Sequence, residues 1–242
     1  MSPLLTRYFR LTWINILSNV TVPLVGLVDT AMLGHLADIR FLAGVALGSI
    51  LFDYIYWSFG FLRMGTTGTT AQAVGRGETG EAYLVLYRAV ALAVLIAGAI
   101  LVLQWPLREG GFLLLSGEPQ VEQAGMAYFN ARVWGAPATL CNFALIGWVL
   151  GREQSRHVLV MTVVANLANI FFNYIFIMRM GLAAAGAGLA TMIAQYAMLA
   201  TGAVLFLAQD GRIPWRTGDV LHRVKLGEML RLNRDILVRT FC

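Results

Sequence analysis

The sequence predicts an all-α polytopic membrane protein, six membrane-crossing helices gathered into one bundle. Three observations predict it. Hydrophobic residues make up 58% of the 242 and charged ones 13%, with a mean hydropathy of +0.69, values well outside the habits of a soluble domain. Apolar residues gather into six runs, near 11–36, 41–64, 83–105, 124–150, 158–178 and 184–207, each long enough for the roughly 20 residues a hydrocarbon core demands of a helix. Runs such as AVALAVLIAGAILVLQW lack the alternation of a barrel strand, and in lipid only helices or closed barrels satisfy the backbone.

The elements follow in order. The first run carries Pro23 and, six residues on, Asp29; a proline in a membrane helix frees a carbonyl and permits a bend beside a polar site. No short apolar region with a small-residue cleavage site precedes this run, so it reads as a retained helix. The second is dense in aromatics, Phe52, Tyr54, Tyr56, Trp57, Phe59 and Phe61, with Asp53 among them. The fourth holds Arg132, the fifth the stretch NLANIFFNY and the sixth Thr191. GHLADIR and RMGLAAAG are tight connections, whereas REGGFLLLSGEPQVEQ is a longer loop with room for a short interfacial helix. Residues 1–207 thus form one six-helix unit. Residues 208–235, polar and basic with Pro214 and Trp215 at the start, read as a cytoplasmic linker. Residues 236–242 read as the start of a seventh helix, so the chain is expected to be the first half of a longer protein.

The net charge of +5 concerns topology rather than nucleic acid, because the basic residues gather between apolar runs and at the C-terminal end. With the N-terminus in the cytoplasm, that side receives Arg7, Arg10, Arg76, Arg88, Arg152 and Arg156, and seven more from Arg212 to Arg239. The opposite side receives only Arg40, Arg108 and Arg179, which favours the N-terminus inside. Arg63 and Arg132 fall within spans, and Arg63, near an inner end, can snorkel.

Several patterns carry less than they suggest. GRGETG, residues 75–80, has the glycines of a dinucleotide loop but lacks the preceding strand. Gly44-x-x-x-Gly48 and Gly147-x-x-x-Gly151 point to close helix packing. Asn19 begins a glycosylation sequon inside a span. Cys141 and Cys242, and the histidines at 35, 157 and 222, match neither a disulfide framework nor metal-ligand spacing. No catalytic constellation is visible, so the chain is read as no enzyme and as needing no metal or other cofactor.

Only Asp29 and Asp53 place acids inside the spans. An ionised aspartate near a helix centre costs roughly 2.5–3.5 kcal/mol on insertion scales, so such a residue is functional by default. Counting about 1.5 Å per residue from Leu36 puts Asp29 about 10 Å deep, where its carboxyl can hold a proton and surrender it when a cation, substrate or water arrives. The plain alternative is a structural ion pair, with Arg132 as partner. Asn166, Asn169 and Asn173 share one helix face, and Thr191 is placed to complete an oxygen-rich pocket for a hard cation or a carboxyl group. A helix-to-helix amide seam is an equal reading of that stripe. Tyr54, Tyr56 and Trp57 are candidates to line a cavity for flat lipophilic cations, and Asp53 and Arg132 to join it or to pair with each other.

NVTVPLVGLVDTAMLGHL, FLRMGTTGTTAQAVGRGE, GWVLGREQSRHVLVMTVVANLANIFFNYIF and the terminal RLNRDI together resemble the multidrug and toxic compound extrusion (MATE) transporters, in particular their bacterial DinF branch. The resemblance covers essentially the whole chain. It implies the N-lobe of a twelve-helix exporter of two six-helix lobes, with drug efflux driven by inward flow of protons or sodium. It further implies a cation site on Asp29, Asn169, Asn173 and Thr191. Some members have aspartate where this chain has Asn173. That leaves one carboxylate in the pocket and favours a proton over sodium as the coupling ion.

The expected function is therefore a secondary antiporter of the cytoplasmic membrane. It would expel small lipophilic or cationic compounds and would need membrane lipid and the C-terminal lobe of the same protein as partners. Two alternatives stay open: a lipid-linked oligosaccharide flippase of the same superfamily, which calls for a more cationic cavity, and a truncated, non-transporting membrane protein.

Overall fold

The computed structural model describes Gly26, residues 30–36 and residues 38–210. Pro23, Asp29, the linker 211–235 and the segment 236–242 lie outside the described residues. Residues 30–34 are helical and lead through a short turn to α1 (Ile39–Trp57), whose start is capped by Asp38, its carboxylate accepting the Arg40 N–H at 3.0 Å. Asp38 also pairs with the Arg40 guanidinium. Arg40 in turn donates to the Gln120 side chain at 2.8 Å, fastening the start of α1 to a helix 80 residues further along the chain. After a break at 58–60, α2 (Phe61–Gly75) continues the same apolar stretch.

The chain returns as α3 (Thr79–Val102), through a turn in which Gly77 takes φ +73°, a conformation glycine adopts without strain. GRGETG accordingly joins two helices. α4 (Gln104–Leu115) occupies the long loop, as its length allows, with Trp105, Leu113 and Leu114 exposed. α5 (Pro119–Arg132) opens with proline in its first turn, where the missing N–H costs nothing. One 3₁₀ turn, Val133–Gly135, joins it to α6 (Ala136–Gly151). α7 (Ser155–Asn173) widens into a π-helical turn, Tyr174–Arg179, and α8 (Ala183–Asp210) is the longest helix among the described residues.

Five stretches among the described residues are long and apolar enough to cross a membrane: Ile39–Gly75, Thr79–Val102, Pro119–Gly151, Ser155–Arg179 and Ala183–Gln209. They match the second to sixth predicted spans within a few residues, with one exception. The second runs 37 residues, well past the predicted end at 64. GTTGTT there dilutes the apolar signal, but the threonines return their hydroxyls to the helix: Thr67 to the Arg63 carbonyl and Thr69 to that of Gly65, both at 2.8 Å. Arg63 therefore sits well inside the stretch and not near its end.

Lipid tails are as apolar as leucine, so close packing rather than hydrophobic expulsion holds such helices together. Both small-residue pairs serve it. A Cβ on Gly44 would lie 2.5 Å from the Ala124 Cβ, and one on Gly48 2.7 Å from the Tyr128 ring, so α1 rides directly on α5. On Gly147 it would lie 2.6 Å from the Arg63 carbonyl oxygen, and on Gly151 2.6 Å from the Thr70 Cβ, which seats α6 on α2. Gly147→Ala should cost about 1–3 kcal/mol, because a backbone carbonyl cannot move aside. Gly98→Ala, where nothing lies within 4 Å, should be neutral or slightly stabilising. Thermal melting of the two variants in detergent checks the contrast; equal midpoints would contradict the close contact.

Two buried clusters fill the lobe. One, toward the end that carries α4, gathers Phe52, Phe112, Phe129 and Leu140. The other, toward the opposite end, gathers Leu86, Trp148, Val158 and Met161, with the Trp148 indole N–H satisfied by the Ala82 carbonyl at 2.8 Å.

Candidate cation and substrate sites

The tight 180–182 connection lays α7 against α8 and brings the amide stripe to Thr191. Asn173, fully buried, donates its side-chain N–H to Asn169 Oδ1 at 3.0 Å. Asn169, 5% exposed, donates to Thr191 Oγ1 at 3.4 Å, and Thr191 donates back to the Ala187 carbonyl at 2.9 Å. Asn166 shares the helix face but not the cluster, and its buried Nδ2 finds no partner among the described residues. The π-helical turn starts directly after Asn173, and such widened turns recur where a helix carries a functional polar group.

A cavity of about 200 Å³ adjoins this cluster. Thr191 and Ala187 line it from α8, Ser49 from α1, Tyr128 from α5, and Gly26 and Thr30 from the first predicted span. The Tyr128 hydroxyl is a junction, accepting from Ser49 at 3.1 Å and from Arg132 at 2.5 Å. The Arg132 guanidinium also lies 4.6 Å above the centre of the Phe52 ring and 5.5 Å from that of Tyr128, a cation–π arrangement.

A larger cavity, about 430 Å³, opens at the break between α1 and α2. Asp53, Tyr56, Trp57, Phe61, Arg63 and Phe143 line it. It gathers three of the residues singled out in the sequence, Asp53, Tyr56 and Trp57. Tyr54 is not among its lining and is 63% exposed, one position round the helix from the cavity face. Of the two roles offered for Asp53 and Arg132, Asp53 takes the cavity lining; no ion pair within 4.0 Å joins the two among the described residues, and Arg132 is turned to Tyr128 and Phe52. Sequence reading also missed Tyr128 and Ser49. Tyr128, one helical turn before Arg132, was within its reach; Ser49 and Phe143 gave no signal, since only the fold brings them there.

Among the described residues no three His, Cys, Asp or Glu converge as metal ligands. Every described group of the cluster is a neutral amide or hydroxyl. Membrane-length helices packed together, with one cavity beside a buried amide cluster and a second at a helix break, define a helical lobe of a membrane protein. The chain belongs to the MatE family, whose pattern matches residues 15–175.

It is 36% identical over 228 residues to DNA damage-inducible protein F of Escherichia coli strain K12, an alignment taking in 93% of this chain and 50% of that protein. It is 32% identical over 204 residues to a probable multidrug resistance protein NorM of Acinetobacter baylyi, covering 81% of this chain and 44% of the relative. Among solved structures, a MOP superfamily transporter from Pyrococcus furiosus superposes with a TM-score of 0.85 at 21% identity, over 97% of this chain and 52% of that one. A multidrug resistance MATE family transporter captured in an outward-facing conformation gives the same values. The chain spans about half the length of these relatives, and its fold is the N-lobe of a MATE transporter, a multi-pass membrane protein.

Proposed function

We propose that this chain is the N-terminal half of a cation-coupled antiporter that expels lipophilic or cationic toxic compounds across the cytoplasmic membrane, with its N-terminus inside and the proton as coupling ion. A C-terminal lobe of the same protein would close the substrate path. The observation that carries the reading is the 200 Å³ cavity between the first span and α8, where Gly26 and Thr30 face Thr191 of the hydrogen-bonded amide cluster. In the sequence Asp29 lies between those two lining residues, which makes it the natural acid of the site.

The described side chains of the cluster are neutral, so Asp29 is the group whose charge the working cycle would change. Protonation removes that charge and lets the first span bend or repack near Pro23, shrinking the cavity and releasing substrate outward. Return to the inward-facing state discharges the proton inside. Exchange follows because proton and substrate favour different conformations, and each shifts the equilibrium only by its differential affinity. The larger aromatic cavity supplies ring faces and the Asp53 carboxylate for a flat cation.

The test uses the full-length protein in sealed vesicles with an internal pH dye. Adding tetraphenylphosphonium, a lipophilic cation, should move protons in sodium-free buffer. A strict sodium requirement would replace the proton reading, and the absence of any cation-dependent flux would end the exporter reading.

A further inference from the structure

Two opposite charges line the larger cavity, and the mechanism above uses only the negative one. The break at 58–60 brings Asp53 from the end of α1 and Arg63 from the start of α2 to the same space of about 430 Å³, together with the rings of Tyr56, Trp57, Phe61 and Phe143. Both charged residues are exposed on the described lobe rather than packed into it. Among the described residues no ion pair within 4.0 Å engages either of them, and no hydrogen bond or ring contact holds the Arg63 guanidinium. Arg132, the other arginine inside the predicted spans, is committed to Tyr128 and Phe52.

Snorkelling does not account for Arg63. It lies twelve residues before Gly75, the end of its membrane-length stretch, which is about 18 Å of helix and farther than the side chain reaches. Its backbone is also fixed at the cavity wall. The Thr67 hydroxyl donates to the Arg63 carbonyl at 2.8 Å, and Gly147 of α6 packs against that same carbonyl oxygen. An arginine held so deep with its guanidinium unengaged among the described residues marks a place where a ligand is met.

We propose that Arg63 is a specificity-determining residue that receives the anionic group of the transported compound, so that the cavity prefers flat aromatic molecules carrying a carboxylate beside their cationic part. This narrows the substrate class given above, and it rests on the cavity being the substrate site. Asp53 and the ring faces take the cationic body, while the guanidinium offers a carboxylate the planar fork of donors that fits its two oxygens. A plain cation satisfies Asp53 but leaves Arg63 unpaired, and that difference is the specificity. A space of about 430 Å³ is in the range that encloses a drug-sized molecule.

Rhodamine B and its ethyl ester make the comparison, since both carry the same cationic ring system and only the first has a free carboxylate. Fluorescence anisotropy with the full-length protein in detergent at neutral pH, corrected for protein-free micelles, should give a Kd about tenfold lower for rhodamine B than for the ester. Arg63→Gln should bring the two dyes within about twofold of each other, chiefly by weakening rhodamine B. Asp53→Asn should weaken both dyes alike and keep their ratio. Should Arg63→Gln fail to fold, Arg63→Lys, which keeps the charge but not the fork, should lower the preference to about threefold. A parent without the preference, a preference undiminished in the Arg63 variant that folds, or equal weakening of both dyes by that variant would overturn the proposal. The last of these would assign Arg63 to an acid elsewhere in the protein or to a lipid phosphate. A folded parent that binds neither dye would overturn it together with the substrate reading of the cavity. The expected preference without rhodamine B efflux from vesicles would support it and count against the exporter reading alone.

Discussion

Asp29→Asn in the full-length protein should reduce substrate-dependent proton movement at least about tenfold, while tetraphenylphosphonium binding stays within a few-fold. The asparagine keeps the size and hydrogen-bonding reach of the side chain and removes its ability to exchange a proton. The expectation follows from the neutral chemistry of the cluster to which the proposed mechanism assigns it. Asn169, Asn173 and Thr191 already hydrogen-bond among themselves, and none of them titrates near neutral pH. The cavity they adjoin is lined from the first span by Gly26 and Thr30, and under the proposed mechanism Asp29, next to Thr30 in the sequence, is the carboxylate that a charge entering there would meet. Vesicles carrying a pH dye, energised and then challenged with the cation, give the ratio directly. Undiminished proton movement would remove Asp29 from the mechanism.

Asn173→Asp should bring in dependence on sodium. In the present arrangement the Asn173 N–H meets Asn169 Oδ1 at 3.0 Å in a site with no exposure at Asn173. Aspartate would set a second oxygen, carrying charge, against that acceptor, a contact that repels unless a cation or a proton enters between them. The introduced carboxylate, together with the oxygens of Asn169 and Thr191, moves the cluster toward the oxygen donors a hard cation prefers. The variant should therefore melt several degrees below the parent in choline chloride at neutral pH, and recover when sodium replaces choline at equal ionic strength or when the pH is lowered. The parent should show little difference between the two salts. Equal melting of the variant in both salts, with no recovery at low pH, would mean that Asn173 is a seam residue outside the ion site.

What could be read from the sequence differs between the scaffold and the sites. The second to sixth spans emerged within a few residues, because apolar length is a property of the segment itself. The exception, the extension to Gly75, is a Thr- and Gly-rich piece held by its contact with Gly147 and Gly151, and a hydropathy window cannot see a neighbouring helix. The amide cluster was legible for the same local reason: Asn169 and Asn173 are four apart, and that spacing fixes a shared face. Thr191 was offered from the sixth span as a polar complement to that stripe and again by the family resemblance, and the fold supplies its bond to Asn169. That Asp53 and Arg132 both fall inside spans made a pair between them conceivable, but a place in a span says nothing about rotation around the helix axis. Packing against Phe52 and Tyr128 turned Arg132 elsewhere.

The sequence by itself determined that this is a membrane protein, where the membrane-length apolar stretches of the described part lie and which polar side chains fall within them. Each of these depends on residues close together along the chain. Only the tertiary structure decided that Thr191 receives Asn169, that Tyr128 binds Arg132, that the break between α1 and α2 opens an aromatic cavity, and that Asp53 and Arg63 both line it. These join residues on different helices, and the glycine contacts that set how closely those helices approach, and at what rotation, exist only once the lobe has packed.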